Sequence, residues 1–102
     1  RWSCLARSVE NQTFVVHSSL VGDLGREPIP ENYGSSAVIA PSTEPFPASA
    51  ILSETPINEE GVAIADLDLE ALIDSRHRGD VRPWMDRHQG DWTVTADSGD
   101  YD

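Results

Sequence analysis

The chain contains no lysine: its seven non-histidine bases are all arginine, set against 18 aspartates and glutamates, for a formal net charge of -11. A face that binds nucleic acid needs clustered cations to displace the counterions of phosphates. Here the one concentration of arginines, Arg76, Arg78, Arg82 and Arg87, is interleaved with Asp74, Asp80, Asp86 and Asp91. Nucleic acid is therefore disfavoured as a partner, and so are anionic membranes. A single cysteine, Cys4, cannot form an internal disulfide, so the chain reads as belonging to a reducing compartment, most simply the cytoplasm. No apolar run approaches the ~20 residues needed to span a bilayer, and no charged-then-apolar segment opens the chain as a secretory signal would. Without such a signal, Asn11-Gln12-Thr13 is read as a chance match to a glycosylation acceptor. Internal repeats and low-complexity tracts are also missing.

What remains is 102 residues, 38% of them hydrophobic, enough for one modest domain. Acidity without lysine suits a protein kept soluble in high salt, where self-repulsion is screened and carboxylates hold hydration. Trp2, Leu5, Ala6 and Val9 recur at the spacing of a helix with one buried face, predicted over 1–12. No Ser, Thr, Asp or Asn precedes Trp2 as a cap. A chain that opens inside a helical pattern is expected of a segment cut from a longer protein.

Residues 13–21 are dense in β-branched and aromatic side chains on both faces, which predicts an interior strand covered on each side. Gly22, Gly25, Pro28 and Pro30 mark a loop to about Gly34. A short strand over 36–40 stops at Pro41, and within 42–58 only Ala50, Ile51 and Leu52 offer another. Residues 61–67 alternate as a strand. Asp68 is placed to cap a helix over 69–77 that buries Leu69, Leu72 and Ile73 and ends at Gly79. The polar stretch 81–102, with scattered Trp84, Trp92 and Tyr101, reads as an extended tail following a domain piece over 1–80.

Four motifs then carry a resemblance: Ala6-Arg7-Ser8-Val9-Glu10-Asn11-Gln12-Thr13-Phe14-Val15-Val16, Gly34-Ser35-Ser36-Ala37-Val38-Ile39-Ala40-Pro41, Gly61-Val62-Ala63-Ile64-Ala65-Asp66-Leu67-Asp68-Leu69, and Asp86-Arg87. In order and spacing they resemble the C-terminal part of a nitrilase-superfamily carbon-nitrogen hydrolase, over residues 1 to about 91. Pro41-Ser42, Phe46-Pro47, Ile51, Glu54 and Gly79-x-Val81-Arg82 are similar to the branch whose members are sometimes fused to an acetyltransferase domain.

The resemblance implies an α/β fold, part of an α-β-β-α sandwich, with the helices from Arg1 and Leu69 packed on one sheet. It also implies a homo-oligomer when intact, in which Trp84, Trp92 and Tyr101 would dock the tail on a partner subunit. The implied chemistry is attack by a Cys thiolate on a small amide or nitrile, with a Glu moving protons and a Lys stabilising the developing charge, and no cofactor. A chain without lysine cannot hold that triad, so no catalytic residue is assigned within it.

Cys4 lies inside the first helix on the flank of its apolar face, and its expected role is packing. Glu10, in Glu-Asn-Gln at a helix end, is expected to hydrogen-bond structurally. His17, in a strand, is the one candidate for the wall of a substrate pocket, beside the blander reading of a structurally satisfied histidine. Gly34-Ser35-Ser36 lacks the glycine that a nucleophile elbow needs two places later, where Val38 stands. His77, Asp80 and His88 lack regular metal-ligand spacing, and Asp66 with Asp68 reads as structure rather than a catalytic pair. Two functional readings follow: a hydrolase fragment supplying scaffold and pocket wall, or a non-catalytic acidic interaction or binding module that folds alone.

Overall fold

The computed structural model describes residues 1–22, 32–88, 90, 93, 95 and 96. The loop residues Gly25, Pro28 and Pro30 and the tail aromatics Trp92 and Tyr101 lie outside the described residues.

Helix α1 spans Trp2–Asn11, with Arg1 at its N-cap and no side-chain cap bond. Its inward face is rotated from the expected one. Trp2 (87% exposed) and Ala6 face out, while Cys4 and Leu5 reach the core and Ser8 is fully buried. The helix stops at Gln12, which takes the left-handed conformation at φ 50°, ψ 60°.

Three short strands form an antiparallel sheet in the order β1-β4-β5: β1 is Val15–His17, β4 is Ala37–Ile39 and β5 is Ile51–Glu54. Val15 pairs with Ile39 and His17 with Ala37; on the other side Ala37 pairs with Glu54 and Ile39 with Ile51, across an irregularity between Val38 and Ile39. Central β4 is buried throughout, as expected of an all-apolar strand flanked on both sides. Ala37, Ile39 and Ala50 form the core, with Cys4, Leu5, Val15 and Ile51 packed against them. Phe14 meets Phe46 edge to face at 5.4 Å, fixing the 42–50 loop beside the start of β1. A separate ribbon pairs β2 (Val21–Gly22) with β3 (Asn32–Tyr33).

The expected strand over 13–21 is thus divided. Ser19 donates its backbone N–H to Ser36 Oγ (3.0 Å), which takes it out of the β1 ladder. Within the sheet of the described residues β1 is an edge rather than an interior strand, and Val16 is 67% exposed.

Residues 61–67 belong to no strand of the described residues, and Val62 and Ile64 are 82% and 79% exposed. Alternation suits a strand, but only a neighbour with free N–H and C=O groups makes one.

Helix α2, Leu69–Arg78, starts where Asp68 Oδ1 accepts the Ala71 N–H at 3.0 Å. Gly79 ends it at an ordinary φ of -74°, and a Cβ there would stand 2.4 Å from the Ser75 carbonyl oxygen. Leu72 and Ser75 are buried, whereas Leu69 and Ile73 are mostly exposed, contrary to expectation.

Nor does α2 pack on the sheet: its Cα atoms come within 8 Å of no strand. It is tied instead to the end of α1, where Ser75 Oγ donates to Gln12 Oε1 (2.7 Å) and Arg76 Nε to the Gln12 carbonyl (2.8 Å). The architecture is α/β, with one helix-covered sheet. Its Cα radius of gyration is 19.1 Å, against about 13 Å for a compact domain of 100 residues. No helix of the described residues is long and apolar enough to cross a membrane.

Candidate functional site

His17 closes β1 and pairs with Ala37 in the ladder. Beyond it the chain is drawn toward Ser36, whose hydroxyl oxygen accepts from Ser19. The Ser36 N–H donates to Thr55 Oγ1 (2.8 Å), and the Thr55 N–H returns a bond to the Ser36 carbonyl (2.9 Å). Ser36 is therefore a structural tie across three segments.

Residues 61–63 pass over this end of the sheet, bringing Gly61, Val62 and Ala63 to face His17, Ser18, Ser36 and Val38 around a cavity of about 190 Å³. His17 is half-buried, and its Nδ1 atom is enclosed without a hydrogen-bond partner among the described residues. An enclosed imidazole nitrogen left unpaired costs of the order of 1–3 kcal/mol. A bound polar group would remove that cost.

The other candidates fall elsewhere. Cys4 packs on the core beside Ala37 and Ile39. Glu10 pairs with Arg7 one turn away on the helix surface. Asp68 is a cap, and Asp66 is exposed in the segment before it. His77 bonds the Ile73 carbonyl at 3.0 Å. Among the described residues, no three His, Cys, Asp or Glu side chains gather to hold a metal ion.

In the sequence Gln12 is one letter of a motif, with nothing to assign it a role. The structure makes it a junction, 1% exposed, whose Nε2 donates to the Val9 carbonyl (2.9 Å) while its Oε1 accepts from Ser75 and, at 3.4 Å, from Thr43 Oγ1. A polar residue closing an amphipathic helix just before a strand was the available signal. Its partners, 31 and 63 residues away, were not readable.

A second cavity, of about 450 Å³, lies between the ends of both helices and a turn over 83–88, lined by Asn11, Gln12, Arg76, His77, Pro83, Trp84 and Met85.

Comparison with known proteins supplies what geometry alone does not. The carbon-nitrogen hydrolase family matches residues 1–77. Over 90 residues the chain is 41% identical to Probable hydrolase YhcX of Bacillus subtilis (strain 168), a match covering 87% of this chain and 18% of that protein. The chain thus spans less than a fifth of the relative's length. No solved structure matches it. With three quarters of the chain inside the family's match, it belongs to the carbon-nitrogen hydrolase family.

Proposed function

We propose that these residues supply scaffold and one wall of the substrate pocket to a hydrolase of non-peptide C–N bonds in small amides or nitriles. The catalytic Cys, Glu and Lys come from polypeptide outside this sequence. One observation carries the reading: a member of this family has no lysine, and its one cysteine is packed into a core. On an amide, the thiolate adds to the carbonyl carbon and ammonia leaves with a proton delivered by the Glu. Water then cleaves the thioester to a carboxylic acid and regenerates the thiol. The unpaired His17 nitrogen and the cavity beside it support placing the pocket wall at the end of β1.

The same reading completes the single sheet with a second into an α-β-β-α sandwich. It also places the intact protein in the cytoplasm as a homo-oligomer, in the branch sometimes fused to an acetyltransferase domain. The exposed Val16, Val62 and Ile64 would be covered in that assembly.

The test compares this chain alone with the longer hydrolase that contains it, assaying ammonia release from a panel of small amides. The longer protein should turn over and the chain alone should not. His17→Ala in the longer protein should lower kcat/KM about tenfold through the loss of one hydrogen bond. Turnover by the isolated chain would refute the division of labour, and an unchanged kcat/KM would remove His17 from the pocket.

A further inference from the structure

We propose that the cavity between the two helix ends and the 83–88 turn binds a small organic acid, a carboxylate carried on an apolar body. This inference does not rest on the hydrolase reading. The cavity, at about 450 Å³, falls in the ~300–1,000 Å³ range of small-molecule sites. Pro83, Trp84 and Met85 give it an apolar wall, and Trp84 and Met85 are 70% and 47% exposed.

Its polar side is the Arg76 guanidinium, which is held in place because its Nε donates to the Gln12 carbonyl at 2.8 Å. That bond leaves both terminal amino groups to form the two-pronged contact that carboxylates favour.

The pairing of charges points the same way. Arg1, Arg7, Arg78 and Arg82 each have a carboxylate partner: Glu54, Glu10, Asp74 and Asp86. Arg76 and Arg87 have none among the described residues, although acidic side chains outnumber arginines 18 to 7 in the whole chain. Arg76 lines this cavity; Arg87 is not part of its lining but lies 3.7 Å over the ring of Trp84, which is, and donates to the Trp84 carbonyl.

Helix C-termini disfavour anions, so the nearby ends of α1 and α2 oppose the proposal. That opposition is reduced because Arg76 already occupies the Gln12 carbonyl, and the last turn of α2 carries Arg76, His77 and Arg78. What the site lacks is a negative charge attached to something that can lie on Trp84 and Met85.

The experiment titrates the full chain with phenylacetate and, separately, with neutral phenylacetamide, following backbone and indole N–H signals by NMR. Saturable shifts at Asn11, Gln12, His77 and Trp84 with the acid, at least about tenfold weaker with the amide, are the expected result. Arg76→Gln should weaken the acid by a similar factor. Because that variant also loses the bond to Gln12, Trp84→Ala provides a second arm, in which the charge stays, the apolar wall goes and affinity should again fall.

Equal binding of acid and amide, no saturable shift at these residues, or shifts shared with Arg7 on the surface of α1 as general anion association would each overturn the proposal. Tighter binding by a short peptide ending in phenylalanine, with its terminal carboxylate free, would overturn the assignment to a small acid in favour of a chain end.

Discussion

Gln12 combines two costs: a left-handed backbone at φ 50° and the burial of a polar side chain, the residue being 1% exposed. The first costs about 1 kcal/mol against glycine. The second is offset because the amide is bonded at both ends, to the Val9 carbonyl and the Ser75 hydroxyl. Gln12→Ala keeps the strained backbone and strips the buried Ser75 hydroxyl of its acceptor, so it should cost about 2–4 kcal/mol in urea unfolding. Gln12→Gly loses the same bonds but relieves the backbone, and should be about 1 kcal/mol less harmful. If the alanine variant unfolds at the wild-type midpoint, Gln12 does not hold α2 to α1. The same contrast separates the hydrogen-bonding role of this residue from its conformation, which a single substitution cannot do.

Among the elements, those whose cause is local were legible in the sequence. The span of α1, the Asp68 cap of α2 and the apolar β4 stopping short of Pro41 each depend on a few neighbouring residues and are found where the pattern places them, although the face α1 buries is not the one its period predicts. Asp68→Ala should therefore cost about 1 kcal/mol and reduce the helical circular dichroism signal of α2 without touching the sheet; no change in helicity would show that tertiary ties alone hold the helix. What depends on distant partners was not legible. Residues 61–67 alternate like a strand yet no strand pairs them among the described residues. Ile73 looked inward by period, but Ser75 is the residue that turns in, because its hydroxyl reaches Gln12 across 63 positions. The candidate site divides in the same way. His17 could be singled out as a polar residue within an apolar strand, whereas the end of β1 at His17 and the cavity beside it, which exists because residues 61–63 pass over the sheet, could not.

At the scale of the whole molecule two features pull against each other. Trp2, Val16, Leu20, Val62 and Ile64 leave large apolar surfaces in water, which favours association. A formal charge of -11 opposes both association and compaction by self-repulsion. Among the described residues the buried hydrophobics are Ala37, Val38, Ile39, Ala40, Ala50 and Leu72, a small core to set against that repulsion. The balance should therefore move with salt: raising the ionic strength from 0.1 M to 1 M shortens the screening length from about 10 Å to about 3 Å. That is shorter than the spacing of most surface carboxylates but leaves hydrogen-bonded contacts such as Ser75 to Gln12 intact. Far-UV circular dichroism of the isolated chain should show helical signal growing as KCl rises to molar levels, with sedimentation reporting a smaller frictional ratio before any association. A spectrum unchanged across that range would mean that repulsion between carboxylates does not limit folding here, and that the lysine-free acidity has no bearing on the salt the protein works in.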